Sequence, residues 1–280
     1  MVHFFVHLLT PFQALPLSMM SMKATLDTGI RSISVDLGRP LPISIRMRHG
    51  KVNPVAWYAP YPSFEPVRMD GFVGSVSEGG SVNTRDIKFN PHGNGTHTEC
   101  IGHITEEVHE VDEYIRDFMH IAQLITVKPS VLEKDISEFM KAGDHVIMPT
   151  DLQDVNIAGD VKALVLRTSP NSDEKLTKVY TGSNPCYMHP LAMKLIREMG
   201  IEHVLLDLPS VDRESDGGKM LAHRAFWYDE NANARMHASI TEMVYVPNRI
   251  QDGEYLLNLM ISPFGNDAAP SKPTLYSIHS

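Results

Sequence analysis

Four side chains that could bind a metal or transfer a proton lie in one short, glycine-punctuated segment, residues 90–103. They are His92, His97, Glu99 and His103. In an extended chain His97 and Glu99 lie on the same side, so an imidazole nitrogen and a carboxylate oxygen can point to one place. Divalent cations such as Zn²⁺ bind nitrogen and oxygen donors of this kind. The segment therefore predicts a metal or acid-base site, against the alternative of a structural loop in which histidine and glutamate pair with one another.

Histidine is frequent in this chain, with 14 among 280 residues, so clustering alone is weak support for a site. The context adds more. Gly93 and Gly95 relax the backbone between the histidines, and Thr96 can hydrogen-bond locally. Cys100 lies in the same segment, where a role as a small buried apolar residue is favoured over that of a nucleophile.

The composition is that of a globular protein without a basic face. Lysine and arginine total 25 against 34 acidic residues, and the formal net charge of −9 argues against a nucleic-acid partner. A hydrophobic content of 42% is enough for a sizeable core. The two cysteines, Cys100 and Cys186, form no CxxC pair and exclude a disulfide framework, so a cytoplasmic location is expected.

The N-terminal segment is interpreted as an extension rather than a targeting signal. Its apolar run, residues 4–9, lacks a basic flank and is too short to span a membrane. Residues 1–29 are assigned to this extension, with disorder and a start near Met22 as open alternatives, and residues 30–280 to one domain. No later segment approaches a membrane-spanning length, so a soluble protein without a membrane partner is predicted.

The apolar pattern along the domain favours an α/β fold. Residues 161–168 and 203–208 have the continuous apolar content of buried strands, and residues 189–199 form an amphipathic helix pattern between them that Gly200 ends. Strand, helix and strand in this order indicate a crossover unit. The pattern further predicts strands at residues 123–129 and 145–148 and helices at residues 106–118 and 131–141.

Two regions outside the histidine segment contribute candidate residues. A proline-rich stretch holds Trp57, Tyr58 and Phe64, which form either one wall of a small-molecule pocket or packing under a long loop. Further along, His223 and the apolar-flanked Glu242 are candidate partners for the histidine segment. Each residue taken singly is more often structural.

Several segments together resemble the cyclase family of metal-dependent hydrolases, which includes bacterial kynurenine formamidases. They are residues 33–41, 95–99 with His103, 200–212, His223 and 241–243. The resemblance implies a swivelling β/β/α domain with a mixed sheet core and flanking helices. It also implies hydrolysis of a formamide, cyclic amide or related bond of a small molecule with Zn²⁺ or Mn²⁺, and a homo-oligomer, either a dimer or a tetramer.

The resemblance also implies roles for particular residues. His97 would be a metal ligand, and Glu99 would occupy the position of a metal-binding aspartate. His223 and Glu242 would complete the metal shell, with His237 as a competitor for His223. His103 would be the catalytic proton-transfer histidine.

Three departures from the family motif bear on this assignment. Gly93 stands where the first ligand histidine belongs, and His92 precedes it by one residue, which in an extended strand would turn its side chain to the opposite face. Glu99 is one methylene longer than aspartate, and Ile101 replaces a proline. Whether His92 replaces the missing ligand is left open by the sequence.

The expected reaction is attack of a metal-activated water on an amide carbonyl, with His103 as acid and base. Two alternatives remain. One is a metal-independent enzyme that uses His97, Glu99 and His103 as an acid-base group. The other is a degenerate family member that binds a small molecule without turnover.

Overall fold

The computed structural model describes residues 21–279, which form one large β-sheet, three small sheets and a few short helices. The strands are β1 Lys23–Asp27, β2 Ser32–Asp36, β3 Leu41–Pro42, β4 Ser63–Pro66, β5 Arg68–Met69, β6 Phe72–Val73, β7 Arg85–Lys88, β8 His97–Glu99, β9 Met119–Val127, β10 Ser130–Val131, β11 His145–Ile147, β12 Val161–Thr168, β13 Tyr187–Met188, β14 His203–Leu206, β15 Ser239–Glu242, β16 Gly253–Asn258, β17 Ala268–Pro270 and β18 Thr274–His279. The α-helices are α1 Val111–Tyr114, α2 Pro190–Glu198 and α3 Leu221–Trp227, and the 3-10 helices are Val76–Glu78, Ile101–Ile104, Pro149–Asp151 and Asp173–Leu176.

The large sheet is mixed and has 11 strands within the described residues, in the order β1-β2-β18-β16-β9-β12-β14-β15-β8-β17, with β3 paired to β18. Its centre, β9-β12-β14-β15, is parallel. The strands outside this centre, beginning with β16 and β8, run antiparallel to their neighbours. The chain passes through α2 between β12 and β14 and through α3 between β14 and β15, as parallel pairing requires. The predicted α/β class, a mixed sheet with flanking helices, is confirmed.

Both faces of the parallel centre are buried. Leu164 and Val165 are successive residues of β12 and belong to hydrophobic clusters on opposite faces. The Leu164 face packs against Ile196 of α2 and Phe226 of α3. The Val165 face packs against a cluster that includes Leu257 of β16. Because both faces are buried, the sequences of the central strands are nearly continuous runs of apolar residues.

The predicted crossover unit is found in the structure. The helix predicted at residues 189–199 is α2, Pro190–Glu198, with Pro190 at its first position and Gly200 at φ +80° just beyond its end. β12 and β14 lie on either side of it in sequence and pair directly. β9 and β11 likewise confirm the strands predicted at residues 123–129 and 145–148.

The helix predicted at residues 106–118 is wrong in extent, because the structure forms a single turn there, α1. Val111 and Ile115 pack with Cys100 in a small separate cluster, and one turn is enough to bury them. The helical spacing of apolar residues therefore reflects a local contact rather than a long amphipathic helix.

The helix predicted at residues 131–141 is also wrong. The chain instead pairs β10 with β11, and Leu132 N–H donates to the carbonyl of Asp144 at 2.9 Å. Within the intervening turn, Ile136 N–H donates to the Met140 carbonyl at 2.9 Å. Strand pairing across the segment takes precedence over its helical spacing.

The predicted N-terminal extension, residues 1–29, lies partly outside the described residues, which begin at residue 21. Within it, β1 pairs antiparallel with β2, Lys23 opposite Asp36. This part of the segment therefore belongs to the sheet. Among the described residues, no helix is both long enough and apolar enough to cross a membrane.

Candidate metal centre

Two paired strands place three potential ligands on one face of the sheet. His97 and Glu99 begin and end β8, so their side chains point to the same side. Glu242 ends β15 and is the register partner of His97. His97 Nε2 lies 3.5 Å from Glu242 Oε2 and 3.9 Å from Glu99 Oε2. Strand register thus brings together the middle and the C-terminal part of the chain.

The other nitrogen of His97 is fixed by the backbone. His97 Nδ1 donates to the carbonyl of Gly95 at 2.9 Å. Gly95 has φ +147°, in a region that favours glycine. The imidazole therefore presents Nε2 to the carboxylates.

His223 lies in the first turn of α3 and is held by Asp212. The backbone N–H groups of Ala222 and His223 donate to the Asp212 carboxylate at 2.7 and 3.1 Å, and His223 Nδ1 donates to Asp212 Oδ2 at 2.6 Å. His223 Nε2 then faces Glu99 Oε1 at 3.0 Å and Glu242 Oε1 at 3.8 Å.

His92 reaches the same cluster from the loop before β8. Its Nδ1 lies 3.1 Å from Glu99 Oε2, and its Nε2 lies 2.9 Å from Asp267 Oδ2. Residues 91–93 form a turn rather than an extended strand, so the alternation of faces expected for a one-residue shift does not apply. The structure thus places His92 beside Glu99 although it precedes the motif position by one residue.

His103 stands at the edge of the cluster, on the 3-10 helix that follows β8. Its Nδ1 donates to Asp267 Oδ2 at 3.2 Å and lies 3.9 Å from Glu99 Oε2. The ring is partly exposed and lines a cavity. It therefore differs from the fully buried His97 and His223.

The donors in this cluster fit a shared cation. A neutral imidazole has one N–H, and in His92, His97 and His223 an acceptor outside the cluster takes it. The other nitrogen then directs a lone pair at an oxygen of Glu99 or Glu242, which is also an acceptor. Atoms that share one ion at about 2.0–2.2 Å lie about 3–3.5 Å apart. Three pairs have this spacing: His92 with Glu99, His97 with Glu242, and His223 with Glu99.

Two buried polar atoms in the cluster also lack a hydrogen-bond partner among the described residues, and a cation could replace it. His97 Nε2 and Glu99 Oε2 have no hydrogen-bond partner within the described residues, although Glu99 is completely buried. Buried polar atoms in proteins are normally paired, and buried carboxylates require a compensating charge. A divalent cation between these two atoms would satisfy both.

The pKa directions agree with this interpretation. Burial by itself lowers the pKa of His92, but hydrogen bonds to Asp267 and Glu99 outweigh it and raise the pKa to about 10. For His223 burial is likewise outweighed, by Asp212 and Glu99, and the pKa rises to about 10. The carboxylates thus favour the imidazolium form, in which each ring carries a second proton and a positive charge. A metal ion at the same place would supply the positive charge and leave each ring with one proton.

The loop that positions His92 leaves no room for a side chain at position 93. A Cβ on Gly93 would lie 2.5 Å from the Ala59 Cβ and 3.0 Å from the Ala56 carbonyl oxygen. The close approach of the segment around Ala56 thus excludes a histidine at the motif position. His92 is the imidazole that this packing admits.

Exchanging the two residues tests this explanation. We expect the double variant His92→Gly/Gly93→His to lose bound divalent metal, and Gly93→Ala alone to lower the free energy of unfolding by about 1–3 kcal/mol through overpacking. Metal analysis after dialysis and urea denaturation measure the two effects. Metal content equal to that of the wild type in the double variant would show that position 93 can hold the ligand.

A cavity of about 340 Å³ opens next to the cluster, and Trp57, His92, His103 and Glu242 lie on its wall. Tyr58 is 84% exposed, and Phe64 pairs with Ile87 in the two-stranded sheet of β4 and β7. Both lie outside the cavity wall, which corrects the pocket prediction for these two residues. Backbone pairing and exposure, rather than clustering in sequence, decide which aromatic side chain faces the cavity.

The sequence reasoning missed two carboxylates. Asp212 is the last residue of the segment 200–212, which carries part of the family resemblance, but its contact with His223 could not be predicted from sequence spacing. Asp267 lies in a loop without any motif. Cys100, by contrast, behaves as predicted: its Sγ donates to the His109 carbonyl at 3.3 Å, and burial raises the pKa of the thiol to about 11.

His237, the competitor of His223, lies elsewhere. It is exposed and lines a second cavity with the buried residues His120 and His203. The rings of His120 and His203 are 4.1 Å apart between centroids. The structure therefore brings His223, and not His237, to the predicted centre.

This second group of histidines predicts a pH effect on stability. Burial is the main cause that lowers the pKa of His203 well below 6.5, and the positive surroundings of His120, His237, Arg235 and Lys162 add to it. The acidic residues on the same cavity wall are Asp117 and Glu202. The unfolded chain then binds more protons, so this contribution to stability is present above about pH 6.5 and is lost as the pH falls.

The variant His203→Gln is expected to flatten this dependence. Below pH 6.5 the slope of the unfolding free energy against pH should be smaller than in the wild type by up to about 1.4 kcal/mol per pH unit. Urea denaturation between pH 5 and 8 measures the slope, which does not depend on the absolute cost of the substitution. Equal slopes in both proteins would contradict the assignment.

Comparison with known proteins places this architecture in a family. The family model described as "Putative cyclase" matches residues 32–213. The chain therefore belongs to the cyclase family. No curated protein matches its sequence.

Solved structures show the same fold at low sequence identity. "The Structure Of Potential Metal-Dependent Hydrolase With Cyclase Activity" matches with a TM-score of 0.59 and 15% identity over 86% of this chain and 99% of its own. A predicted metal-dependent hydrolase from Bacillus stearothermophilus matches with a TM-score of 0.57 and 16% identity over 85% and 98% of the two chains. Isatin hydrolase A from Labrenzia aggregata matches with a TM-score of 0.58 and 12% identity over 85% and 93%.

Proposed function

We propose that this protein is a metal-dependent hydrolase that cleaves an amide, formamide or cyclic amide bond in a small molecule. One observation carries the proposal: three imidazole nitrogens whose rings are fixed from outside converge on two buried carboxylates. Membership of the cyclase family and structural neighbours with hydrolase names support the reaction class.

In this proposal the metal is held by His92, His97, Glu99, His223 and Glu242. Nitrogen and oxygen donors without a thiolate suit Zn²⁺ or Mn²⁺. When bound, such an ion supplies Lewis acidity, which polarises a carbonyl group and lowers the pKa of water.

The proton-transfer group is His103. Because a carboxylate can only accept, the contact with Asp267 Oδ2 places the proton of a neutral His103 on Nδ1. Its Nε2 is then free to accept a proton and to deliver it to a leaving nitrogen at the cavity wall. Position and tautomer thus fit the role that the family resemblance implies.

The cavity suits a small, partly apolar substrate. Its volume of about 340 Å³ is of the size that encloses small ligands. Trp57 and Met220 provide apolar wall, and Asn90 and Ser210 provide polar groups. These residues are proposed to orient the substrate carbonyl towards the metal centre and to exclude bulk water.

The proposal is tested by metal analysis of the purified protein together with hydrolysis assays on N-formyl aromatic amides and cyclic amides. We expect bound Zn²⁺ or Mn²⁺, hydrolysis of at least one substrate class, and loss of hydrolysis with a chelator. Bound metal without turnover of either class would favour a binding protein. Hydrolysis that survives complete metal removal would favour a metal-independent enzyme.

A further inference from the structure

Asp267 contacts two histidines through one oxygen atom. Its Oδ2 lies 2.9 Å from His92 Nε2 and 3.2 Å from His103 Nδ1. The two rings are stacked against each other, with 4.3 Å between their centroids and 30° between their planes. A proposed metal ligand and the proposed proton-transfer group therefore share one carboxylate.

The backbone fixes Asp267 at this place. Its carbonyl accepts from Cys100 N–H at 3.0 Å, and the next residue, Ala268, is the β17 register partner of Glu99. Asp267 thus stands directly beside the end of β8, and its side chain is 25% exposed. The same strand pairing that holds Glu99 also holds Asp267.

The carboxylate determines which ring nitrogen carries the proton. One carboxylate oxygen, Oδ2, lies at hydrogen-bond distance from a nitrogen of each ring. Because a carboxylate oxygen accepts, His92 presents Nε2–H and His103 presents Nδ1–H. His92 Nδ1 and His103 Nε2 are then left with lone pairs.

The other rings of the cluster are fixed in the same way, each by its own acceptor. His223 donates to Asp212, and His97 donates to the Gly95 carbonyl. Acceptors of this kind orient metal-binding imidazoles and raise their basicity. Asp267 differs because it serves two rings with different roles.

We propose that Asp267 is a positioning residue that sets the tautomers of both His92 and His103, so that metal binding and proton transfer depend on one carboxylate. This inference rests on the proposed function for the role of His103 in hydrolysis. The assignment of the two tautomers rests on the hydrogen bonds alone.

A direct metal-binding role for Asp267 is the main competitor. One atom each of His92, His103 and Asp267 lie within 4.8 Å of one another, close enough to hold an ion. An ion at that place would occupy His92 Nε2 and leave a proton on Nδ1, where the ring faces Glu99. The buried atoms Glu99 Oε2 and His97 Nε2 would then still have neither a hydrogen-bond partner in the described part of the chain nor a cation.

The test compares the wild type with Asp267→Asn and Asp267→Ala, and with Asp252→Asn as a control on a carboxylate that pairs with Arg167. Long-range ¹⁵N–¹H correlation of the Zn²⁺-loaded proteins reports the imidazole tautomers. We expect Nδ1–H on His103 and Nε2–H on His92 in the wild type and in the control, and a change at His103 in both Asp267 variants.

Metal titration separates positioning from direct ligation. Loss of an outer acceptor is expected to weaken metal affinity about 10–100-fold, with full stoichiometry restored at saturating Zn²⁺. A stoichiometry that stays one ion lower at saturation in the Asp267 variants would instead identify Asp267 as a ligand and overturn the proposal.

Kinetics at saturating metal complete the test. For amide substrates kcat is expected to fall about 10²-fold or more in Asp267→Asn, while KM changes little. For activated esters, whose leaving groups need no proton, the loss should be much smaller. Unchanged tautomers or an unchanged kcat for amides would overturn the positioning role. A wild type with the expected tautomers but without hydrolysis would contradict the proposed function instead.

Discussion

Replacing His97 by alanine is expected to remove the bound divalent metal and to lower amide hydrolysis by more than about 100-fold. Loss of a residue that only orients a metal ligand usually costs about 10–100-fold, and His97 is proposed to bind the metal itself. The physical reason is the central position of this imidazole. Its Nε2 lies within 4 Å of an oxygen of Glu99 and of an oxygen of Glu242, and both carboxylates are buried. Elemental analysis and steady-state kinetics measure the two losses.

The matched control for this variant is His237→Ala. His237 is exposed and lies by the second cavity, so both metal content and activity should equal those of the wild type. Circular dichroism of each variant monitors the fold. If His97→Ala kept stoichiometric metal at wild-type affinity, the proposed ligand set would be incorrect.

Replacing Lys175 by methionine is expected to lower the free energy of unfolding by about 3–5 kcal/mol, because it leaves a buried carboxylate without its partner charge. Lys175 Nζ donates to Asp207 Oδ2 at 2.6 Å, and the Asp207 side chain is completely buried. Burial already raises the pKa of Asp207, and the remaining hydrogen bonds come from Thr168 N–H and Oγ1. Urea denaturation measures the change.

Two further variants show whether the cost comes from the stranded charge. The double variant Lys175→Met/Asp207→Asn should recover most of the lost stability, because no buried charge remains. Lys141→Met breaks the exposed pair with Asp135 and should cost less than about 1 kcal/mol. Similar losses in Lys175→Met and Lys141→Met would show that burial of the pair contributes little.

The parts of the fold that sequence patterning predicted correctly are those in which burial is continuous. β12, α2 and β14 pack within one core, so their apolar pattern and their structure agree. Residues 106–118 and 131–141 have apolar residues at helical spacing but pack in small separate clusters, where strand pairing and turns decide the backbone. Periodicity carries no information about which cluster a side chain joins.

In the candidate site, too, residues close in sequence were predicted from local patterns, whereas residues distant in sequence were not. Residue type and spacing indicated His97, Glu99 and His103, which are close in sequence. His223 and Glu242 were indicated through the family resemblance, and their convergence depends on the register of β15 with β8 and on the position of α3. The one-residue displacement of His92 could not be judged without the turn that carries it.

Asp267 was beyond sequence reasoning for a physical reason. It lies 164 residues from His103 in the chain, in a loop with no spacing pattern, and its position follows from the pairing of β17 with β8. The effect of the extra methylene of Glu99 could not be predicted from the sequence either. In the structure its two oxygens reach His223 on one side and His92 on the other.

Anomalous diffraction from crystals of the Zn²⁺- or Mn²⁺-loaded protein, collected at the absorption edge of the metal, tests the central claim most directly. The account predicts a peak within about 2.0–2.2 Å of His97 Nε2 and a Glu99 oxygen, with the nearest nitrogens of His92 and His223 turned towards it. Absence of a peak there, with metal bound instead beside His120 and His203 or nowhere in the crystal, would contradict it.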